Sequence, residues 1–405
     1  MHKILLLQQH YFPEMAGVAR RAKELSEEFT KNGYSVTVVT SYPRDFRSMP
    51  GYSSKEYEII NNVKVVRVKT IFHVGENTIF RLLSYFLYVI RCIIYISRNH
   101  HRYDIILSMA PLPPAIAGAL GRKLYNKYHH FDVPDILPDL GISAGMIKNR
   151  IIIKFLFFIE KWVYDNSDSI SAITYGQIKN IINKGVKPEK IHYMPDWIDS
   201  NYFHENLFKY KSKIKKILHY PNKTLITFVG NIGALQNPNV FLLLMNSLNK
   251  DHKNKFQFLF VGDGIMLKSL KKESKELNLN NVSFIGRVER KYIPAYMNLS
   301  DILVANYLSN KYLDICIPGK LYEYGVSNRP IIMGSRGEAK KLIEKYNLGY
   351  GVNPSDIDSF KKAVIDISSG AYKHQPKLDE FINHFSLGKI ANNYTGLLSK
   401  LFVNS

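Results

Sequence analysis

Short β-branched and aromatic runs alternate with helical stretches along this chain, and the alternation ends and then begins again. Runs at 4–7, 35–40, 63–68, 105–109, 128–133, 170–174 and 192–194 read as strands, with helical patterns such as 20–32 and 175–184 between them. Strand–helix–strand repetition of this kind makes βαβ units and a parallel sheet. After a polar, lysine-rich joint at 199–223 the series restarts with strands at 225–229, 256–261, 282–285, 302–305 and 330–333. The pattern predicts an α/β fold of two doubly wound domains of similar size, 1–200 and 201–385. A last helix at 386–405 is expected to pack back on the first domain.

A chain of 405 residues with 46% apolar side chains can fill two such cores. Cys92 and Cys316 stand far apart, in no metal-ligand pattern, which points to a reducing compartment. Met1-His2-Lys3 runs straight into the short apolar run 4–7, with no secretory leader pattern, so a cytoplasmic location is expected. The net charge of +21 calls for anionic partners: phosphorylated substrates, an acidic membrane surface or nucleic acid. The basic residues are diffuse and form no nucleic-acid module, so nucleic acid is not the expected partner.

Glycines cluster where strands end: Gly230-Asn231-Ile232-Gly233, Gly262-Asp263-Gly264 and Gly286-Arg287. In open α/β sheets ligands bind beyond the carboxyl ends of the strands, and glycine lets backbone approach a ligand closely. Further on stands Ile317-Pro318-Gly319-Lys320-Leu321-Tyr322-Glu323-Tyr324-Gly325. Pro318 suits a first helical position, and the N–H groups of Gly319, Lys320 and Leu321 would then point out of the helix start. With the Lys320 ammonium they would make an anion site, and Glu323, one turn inside, could accept hydrogen bonds from a sugar diol. An ordinary capped helix with a solvated Lys and Glu is the competing reading.

These motifs, in this order and spacing, resemble the family-4 glycosyltransferases of the GT-B fold, two Rossmann-like domains facing across a cleft. The resemblance covers nearly the whole chain, and its nearest branch is the L-fucosamine-transferase-like group of bacterial O-antigen and capsule transferases. Tyr11-Phe12-Pro13-Glu14 with Ala16-Gly17 and Arg20 is similar to the family's first-strand loop, and Pro111-Leu112-Pro113 to the branch's proline-rich loop. His130 precedes an acceptor-side segment, Phe131-Asp132-Val133-Pro134-Asp135-Ile136-Leu137-Pro138-Asp139; Pro195-Asp196-Trp197-Ile198-Asp199 resembles the interdomain motif. The stretches 230–233, 261–264 and 318–325 resemble the donor-site motifs. Two departures stand out. Ile315 occupies the place of the first of two family glutamates, with Asp314 one residue off, and Ala234, near Gln236, occupies that of a diphosphate-binding arginine.

The resemblance implies transfer of a sugar, an N-acetylated amino or deoxy-amino sugar, from a UDP-sugar to a polyprenyl-diphosphate-linked saccharide in surface polysaccharide synthesis. It implies retention of configuration, no metal and no cofactor beyond the nucleotide-sugar co-substrate. Gly17, Gly230, Asn231, Gly233, Gly262, Gly264, Arg287, Pro318, Gly319, Lys320, Leu321 and Glu323 are then donor-binding. Lys320 also serves catalysis by meeting the leaving diphosphate, and Asp135 is the acceptor-side base, with Asp132 and His130 behind it. The segment 147–164, with Arg150, Lys154 and Lys161 among Ile151, Ile152, Phe155, Phe157 and Phe158, reads as a basic amphipathic helix suited to an anionic bilayer. The apolar segment 79–97 carries Arg81 and Arg91 inside an α/β pattern, which argues against a spanning helix. Peripheral attachment to the inner face of the cytoplasmic membrane follows. A sugar-nucleotide epimerase of similar architecture and a non-catalytic paralogue are the alternatives.

Overall fold

A computed structural model describes residues 2–14, 17–43, 55–71, 78–218, 220–252 and 254–403. The chain divides into two compact units, Met1–Pro195 with Leu387–Ser405, and Asp196–Ser386. Both are Rossmann-like α/β domains.

The first unit holds strands β1 (Lys3–Leu7), β2 (Ser35–Ser41), β3 (Tyr57–Ile60), β4 (Val63–Val68), β5 (Ile105–Met109), β6 (Tyr128–Val133), β7 (Ser169–Ala172) and β8 (Ile191–Tyr193). They form one sheet in the order β3-β4-β2-β1-β5-β6-β7-β8. All pairs are parallel except β3–β4. The helices of this half are α1 (Val18–Lys31), α2 (Thr78–Asn99), α3 (Leu112–Tyr125), α4 (Asp139–Ser143), α5 (Arg150–Asp165) and α6 (Tyr175–Asn183). The central strands are buried on both faces, which is why they read as continuous apolar runs. The β3 strand escapes the sequence reading because it lies at the sheet edge with Tyr57 and Ile59 exposed. Its signal is the turn: Asn61 and Asn62 both take positive φ, 48° and 67°, the geometry of a two-residue hairpin.

The second unit runs through α7 (Ser200–Ile217), β9 (Thr224–Val229), α8 (Asn239–Asp251), β10 (Phe256–Val261), α9 (Leu267–Glu276), β11 (Val282–Gly286), α10 (Ile293–Leu299), β12 (Ile302–Asn306), α11 (Lys320–Val326), β13 (Ile331–Gly334), α12 (Glu338–Lys345), β14 (Gly349–Val352), α13 (Ile357–Ser368) and α14 (Leu378–Phe385). Its parallel sheet has the order β11-β10-β9-β12-β13-β14. The expected polar joint at 199–223 is mostly α7, capped by the Asp199 carboxylate and anchored by buried Phe203 and Ile214. The β14 strand also goes unread in the sequence, since its two glycines erase the strand signature. A Cβ on Gly349 would lie 2.0 Å from the Ile331 carbonyl oxygen, so glycine is what lets β14 close on β13.

The last helix, α15 (Leu387–Val403), belongs to the first unit and packs on α1. One helical segment among the described residues, Phe80–Arg102, is long and apolar enough to cross a membrane. Its Ser84, Tyr88, Cys92 and Ile96 are nevertheless buried, and Tyr88 donates to the Val39 carbonyl at 2.8 Å. Gln9 Nε2 donates to Ser84 Oγ at 3.2 Å. The α2 helix therefore lies along its domain, fastened to the sheet.

Candidate active site

The carboxyl ends of β9, β10 and β11 carry the glycine loops of the second unit. Gly230 N–H donates to the Val261 carbonyl at 2.9 Å and Ile232 N–H to the Asp263 carbonyl at 2.8 Å. A Cβ on Gly262 would lie 1.9 Å from the Gly230 oxygen, and one on Gly264 2.4 Å from the Ile232 oxygen. Gly262 and Gly264 thus let one loop lie backbone against backbone on the other. Gly230 has a different neighbour. Its φ is 131°, and a Cβ there would meet the Lys320 ammonium at 2.9 Å. Gly233 is buried and Asn231 exposed beside it.

Lys320 is the first residue of α11, with Gly319 as its N-cap. The residue as a whole is partly exposed, but Nζ is buried and has no hydrogen-bond partner among the described residues. It lies 3.8 Å from the centroid of the Phe228 ring, a cation–π contact that offsets only part of its lost hydration. Burial pulls the ammonium pKa down to about 7, against the opposing pull of Glu323. A buried ammonium without an acceptor is costly unless an anion completes it.

The expected cradle of free N–H groups is smaller than its sequence suggests. Leu321 N–H donates to the Pro318 carbonyl at 2.9 Å, so it is spent inside the turn. The Leu321 side chain is fully buried and Pro318 is buried before the helix start. The Tyr324 hydroxyl holds α11 against the sheet, accepting from Val229 N–H at 2.7 Å and donating to the Val229 carbonyl at 2.9 Å. That clamp fixes Lys320 relative to the end of β9.

Glu323 sits one turn into α11, half-buried, with its carboxylate 3.9 Å from the Arg290 guanidinium. The two line one small cavity with Tyr202, Ile293 and Met297. Arg290 in turn stacks 4.6 Å over the Tyr202 ring. Arg290 went unnoticed in the sequence, where Arg287 was the expected diphosphate partner. Arg287 is exposed on the loop after β11 and makes no ion pair or hydrogen bond among the described residues. The distinguishing signal, a cation following a strand end by four residues rather than one, is too loose to read without coordinates. Asp314 accepts from Ser309 Oγ at 3.2 and 3.1 Å, and Ala234 is exposed in a short turn.

In the first unit the expected acceptor residues part company. Asp135 is exposed two residues beyond β6, at the carboxyl edge of the sheet. Asp132 and His130 are fully buried within β6, which is flanked by β5 and β7, and this corrects their placing beside an acceptor. Asp132 accepts from Arg21 Nε at 2.7 Å and Nη2 at 3.1 Å, from Tyr394 at 2.6 Å and from Ser171 at 2.7 Å. Burial raises the Asp132 pKa, but the Arg21 charge and these hydrogen bonds outweigh it and hold the carboxylate below its usual range. His130 bonds Ser169 at 2.7 Å and Ser171 at 3.0 Å, and burial pushes its imidazole down to about 3, a poor base. Gly17 precedes α1 with φ 53°, its carbonyl accepting from Arg21 N–H. No cluster of three or more metal-ligating side chains occurs among the described residues.

With this geometry in hand, comparison with known proteins places the molecule in a class. Residues 15–202 match the model for Glycosyltransferase Family 4, and residues 209–383 match that for Glycosyl transferases group 1. The chain is 22% identical to the probable glycosyltransferase WbjE of Pseudomonas aeruginosa, over 71% of this chain and 72% of that one. It is 24% identical to the putative colanic acid biosynthesis glycosyl transferase WcaI of Escherichia coli K12, over 74% and 75%. In structure it matches HepE of Anabaena in complex with UDP-glucose, with a TM-score of 0.74, 15% identity, and coverage of 99% of this chain and 100% of that one. The fold is GT-B. The chain is a glycosyltransferase, a family-4 domain followed by a group-1 domain.

Proposed function

We propose that this enzyme moves an N-acetylated amino or deoxy-amino sugar from a UDP-sugar to a polyprenyl-diphosphate-linked glycan, in the assembly of a bacterial surface polysaccharide. The observation that carries the donor half is the Lys320 ammonium, buried, unpartnered and held open to the glycine loop by the absence of a Cβ at Gly230. A diphosphate oxygen supplies the acceptor that this cation lacks. As the glycosidic C–O bond breaks, negative charge grows on the departing diphosphate, and a fixed cation in a water-poor corner stabilises that state more than the ground state. Glu323 is assigned to the ribose diol, with Arg290 orienting its carboxylate. The exposed Asp135 is assigned to the acceptor hydroxyl. No step in this scheme calls for a metal, and the front-side departure and attack that retain configuration suit it.

The polysaccharide setting draws support from WcaI, whose name places it in colanic acid biosynthesis. UDP follows the sequence resemblance; the Anabaena protein of the same fold holds UDP-glucose. The work is assigned to the cytoplasmic face of the inner membrane, where lipid-linked acceptors are elongated.

The test is a screen of nucleotide sugars for nucleoside diphosphate release with and without a bacterial membrane extract. Release that depends on the extract, is abolished in Asp135→Asn and leaves nucleotide affinity intact, is expected. Interconversion of the donor sugar without an acceptor would replace the transferase with an epimerase.

A further inference from the structure

Two tyrosines stand on the carboxyl edge of the first unit's sheet, outside both the donor corner and the Asp132 knot. Tyr175 opens α6, one residue after the Thr174 N-cap, whose Oγ1 accepts from Gln177 N–H at 3.0 Å. Tyr193 is the last residue of β8. Their rings stack with centroids 4.4 Å apart and planes 12° from parallel. Tyr193 is half-buried, while Tyr175 is 64% exposed. A lone exposed tyrosine needs no explanation. This one is held flat by a second ring, and it stands beside Asp135.

The strands β6, β7 and β8 are consecutive neighbours, all parallel, and their register sets Val133, Ala172 and Tyr193 in one row across the sheet. Asp135 follows that row by two residues and Tyr175 by three. Neighbouring strands lie about 4.8 Å apart, so the rim from β6 to β8 spans on the order of 10 Å. Gln177 fastens the parts together. It is fully buried, accepts from Ile173 N–H at 3.1 Å at the end of β7, and donates to the Pro134 carbonyl at 3.0 Å. One turn on, Asn180 donates to Asp139 at 3.2 Å, and Lys184 pairs with the same carboxylate. Gln177, Asn180 and Lys184 recur at helical spacing on one side of α6, so the helix that begins at Tyr175 grips the segment that carries Asp135.

We propose that the stacked pair Tyr175–Tyr193 is a platform for a pyranose ring of the acceptor glycan, next to the hydroxyl that Asp135 meets. The proposal deepens the transferase reading and rests on it. The ligand class follows from the chemistry of the surface. A pyranose has a face of C–H groups that packs on an aromatic ring and an edge of hydroxyls that stays in water, so a flat ring open to solvent suits it. Tyrosine offers a large contact area through only two χ angles, and the Tyr193 stack has already fixed them, so little freedom is lost on binding. The size of the surface argues for a sugar over a protein. Tyr175 is followed by Gly176 and, one turn on, by exposed Lys179. The apolar area is that of one ring, far short of the roughly 800 Å² per partner that a stable protein interface buries. Because Gln177 ties α6 to the Pro134 carbonyl, the spacing between platform and Asp135 is set by the fold. A sugar seated on Tyr175 is thereby held in register with the carboxylate, which is the gain in orientation a transferase needs from its acceptor side.

The test uses the full-length chain and the methyl glycosides of glucose, galactose, N-acetylglucosamine and N-acetylgalactosamine, read by saturation-transfer NMR. At least one glycoside is expected to take up saturation at the C–H protons of one ring face in wild type. Tyr175→Ala is expected to weaken its binding about tenfold, as for loss of an aromatic stack, and Tyr175→Trp to restore it. With a nucleotide sugar and the membrane extract, Tyr175→Ala is expected to raise the KM for the acceptor about tenfold, while nucleotide affinity by calorimetry and the melting temperature hold. Absence of saturation in all four glycosides with wild type overturns the platform, as does equal binding by wild type and Tyr175→Ala. A concentration-dependent dimer in sedimentation velocity that Tyr175→Ala disperses also overturns it, since the ring then belongs to a second copy. Failure of the transferase reading looks different. Nucleoside diphosphate release that ignores the extract, beside glycoside binding that still depends on Tyr175, would sink the transfer and leave the sugar platform standing.

Discussion

Arg21 and Lys320 are both cations drawn into the interior, one in each half of the chain, and their surroundings are opposite. Arg21 reaches Asp132 through two hydrogen bonds, the Met194 carbonyl through a third and Tyr394 through a fourth. Its charge is answered within the fold, and Tyr394 brings the last helix, α15, into the same knot. Lys320 has an aromatic ring beneath it and no acceptor among the described residues. A buried ion pair with satisfied hydrogen bonds is a structural joint, whereas a buried charge with an open side is kept at a cost in stability. On the proposed reading of Lys320, the contrast separates a group that holds the protein together from one that waits for a ligand.

The largest effect should come from breaking the satisfied pair. Arg21→Met strands the Asp132 carboxylate and is expected to lower stability by about 3–5 kcal/mol. Denaturant unfolding followed by circular dichroism reads this, and nucleotide affinity of the folded fraction should be unchanged. A loss under 1 kcal/mol would place Asp132 among the working groups after all.

Lys320→Met is the converse experiment. Turnover should fall on the order of 10²-fold, as for removal of a donor to a developing oxyanion. The melting temperature without nucleotide should hold or rise, because the variant relieves a buried charge. A variant that melts lower and turns over normally would make Lys320 structural, and the contrast between the two cations would collapse.

Glu323→Gln is expected to weaken donor affinity by roughly 1.5–3 kcal/mol, the worth of a charge-assisted hydrogen bond, with little change in folding. Calorimetric titration with the nucleoside diphosphate measures it, and an unchanged constant would release Glu323 from its assignment to the ribose.

The smallest and sharpest effect is in protons. Lys320 holds a pKa pulled down to about 7, while in the unfolded chain it returns to the ordinary lysine range. Between those values the unfolded chain carries this proton and the folded chain does not. The stability of the unliganded protein therefore gains a rising slope with pH across that window, and the cost of the buried charge is fully present below pH 7. A bound diphosphate restores the charge, so binding at pH 8 should take up most of a proton in wild type and close to none in Lys320→Met. Titrations in buffers of differing ionisation enthalpy give that number directly.

The two series of strands were legible because buried parallel strands are short continuous apolar runs bounded by turn residues and spaced by helical patterns. The elements that went unread were those lacking this signature, the edge hairpin strand β3 and the glycine-bearing β14. The donor corner was legible in part. Glycine before a lysine-led helix marks a backbone approach that local chemistry demands, and the loops, Lys320 and Glu323 do lie on one edge of one sheet. The acceptor segment was less so. Asp132 and Asp135 are three residues apart and chemically alike, yet one is sealed among four hydrogen bonds and the other is exposed. The strand ends between them, and only the neighbouring strands β5 and β7 and the distant Arg21 and Tyr394 decide which carboxylate is covered.

Periodicity and composition were thus enough for the class of fold and for the place of the glycine loops and the lysine-led helix, because both are set by short-range stereochemistry: side-chain alternation, glycine's freedom and proline's constraint. Which charges are answered and which are left open depended on residues up to 373 positions apart, as with Arg21 and Tyr394. So did the apolar stripes of α2 and α5: the α5 sequence reads as a basic amphipathic helix and the α2 sequence as an apolar, non-spanning one, and only packing in the domain showed which side stayed bare. Burial and pairing are properties of the assembled domain, since an electrostatic partner or a covering side chain can come from anywhere in the chain that the fold brings near.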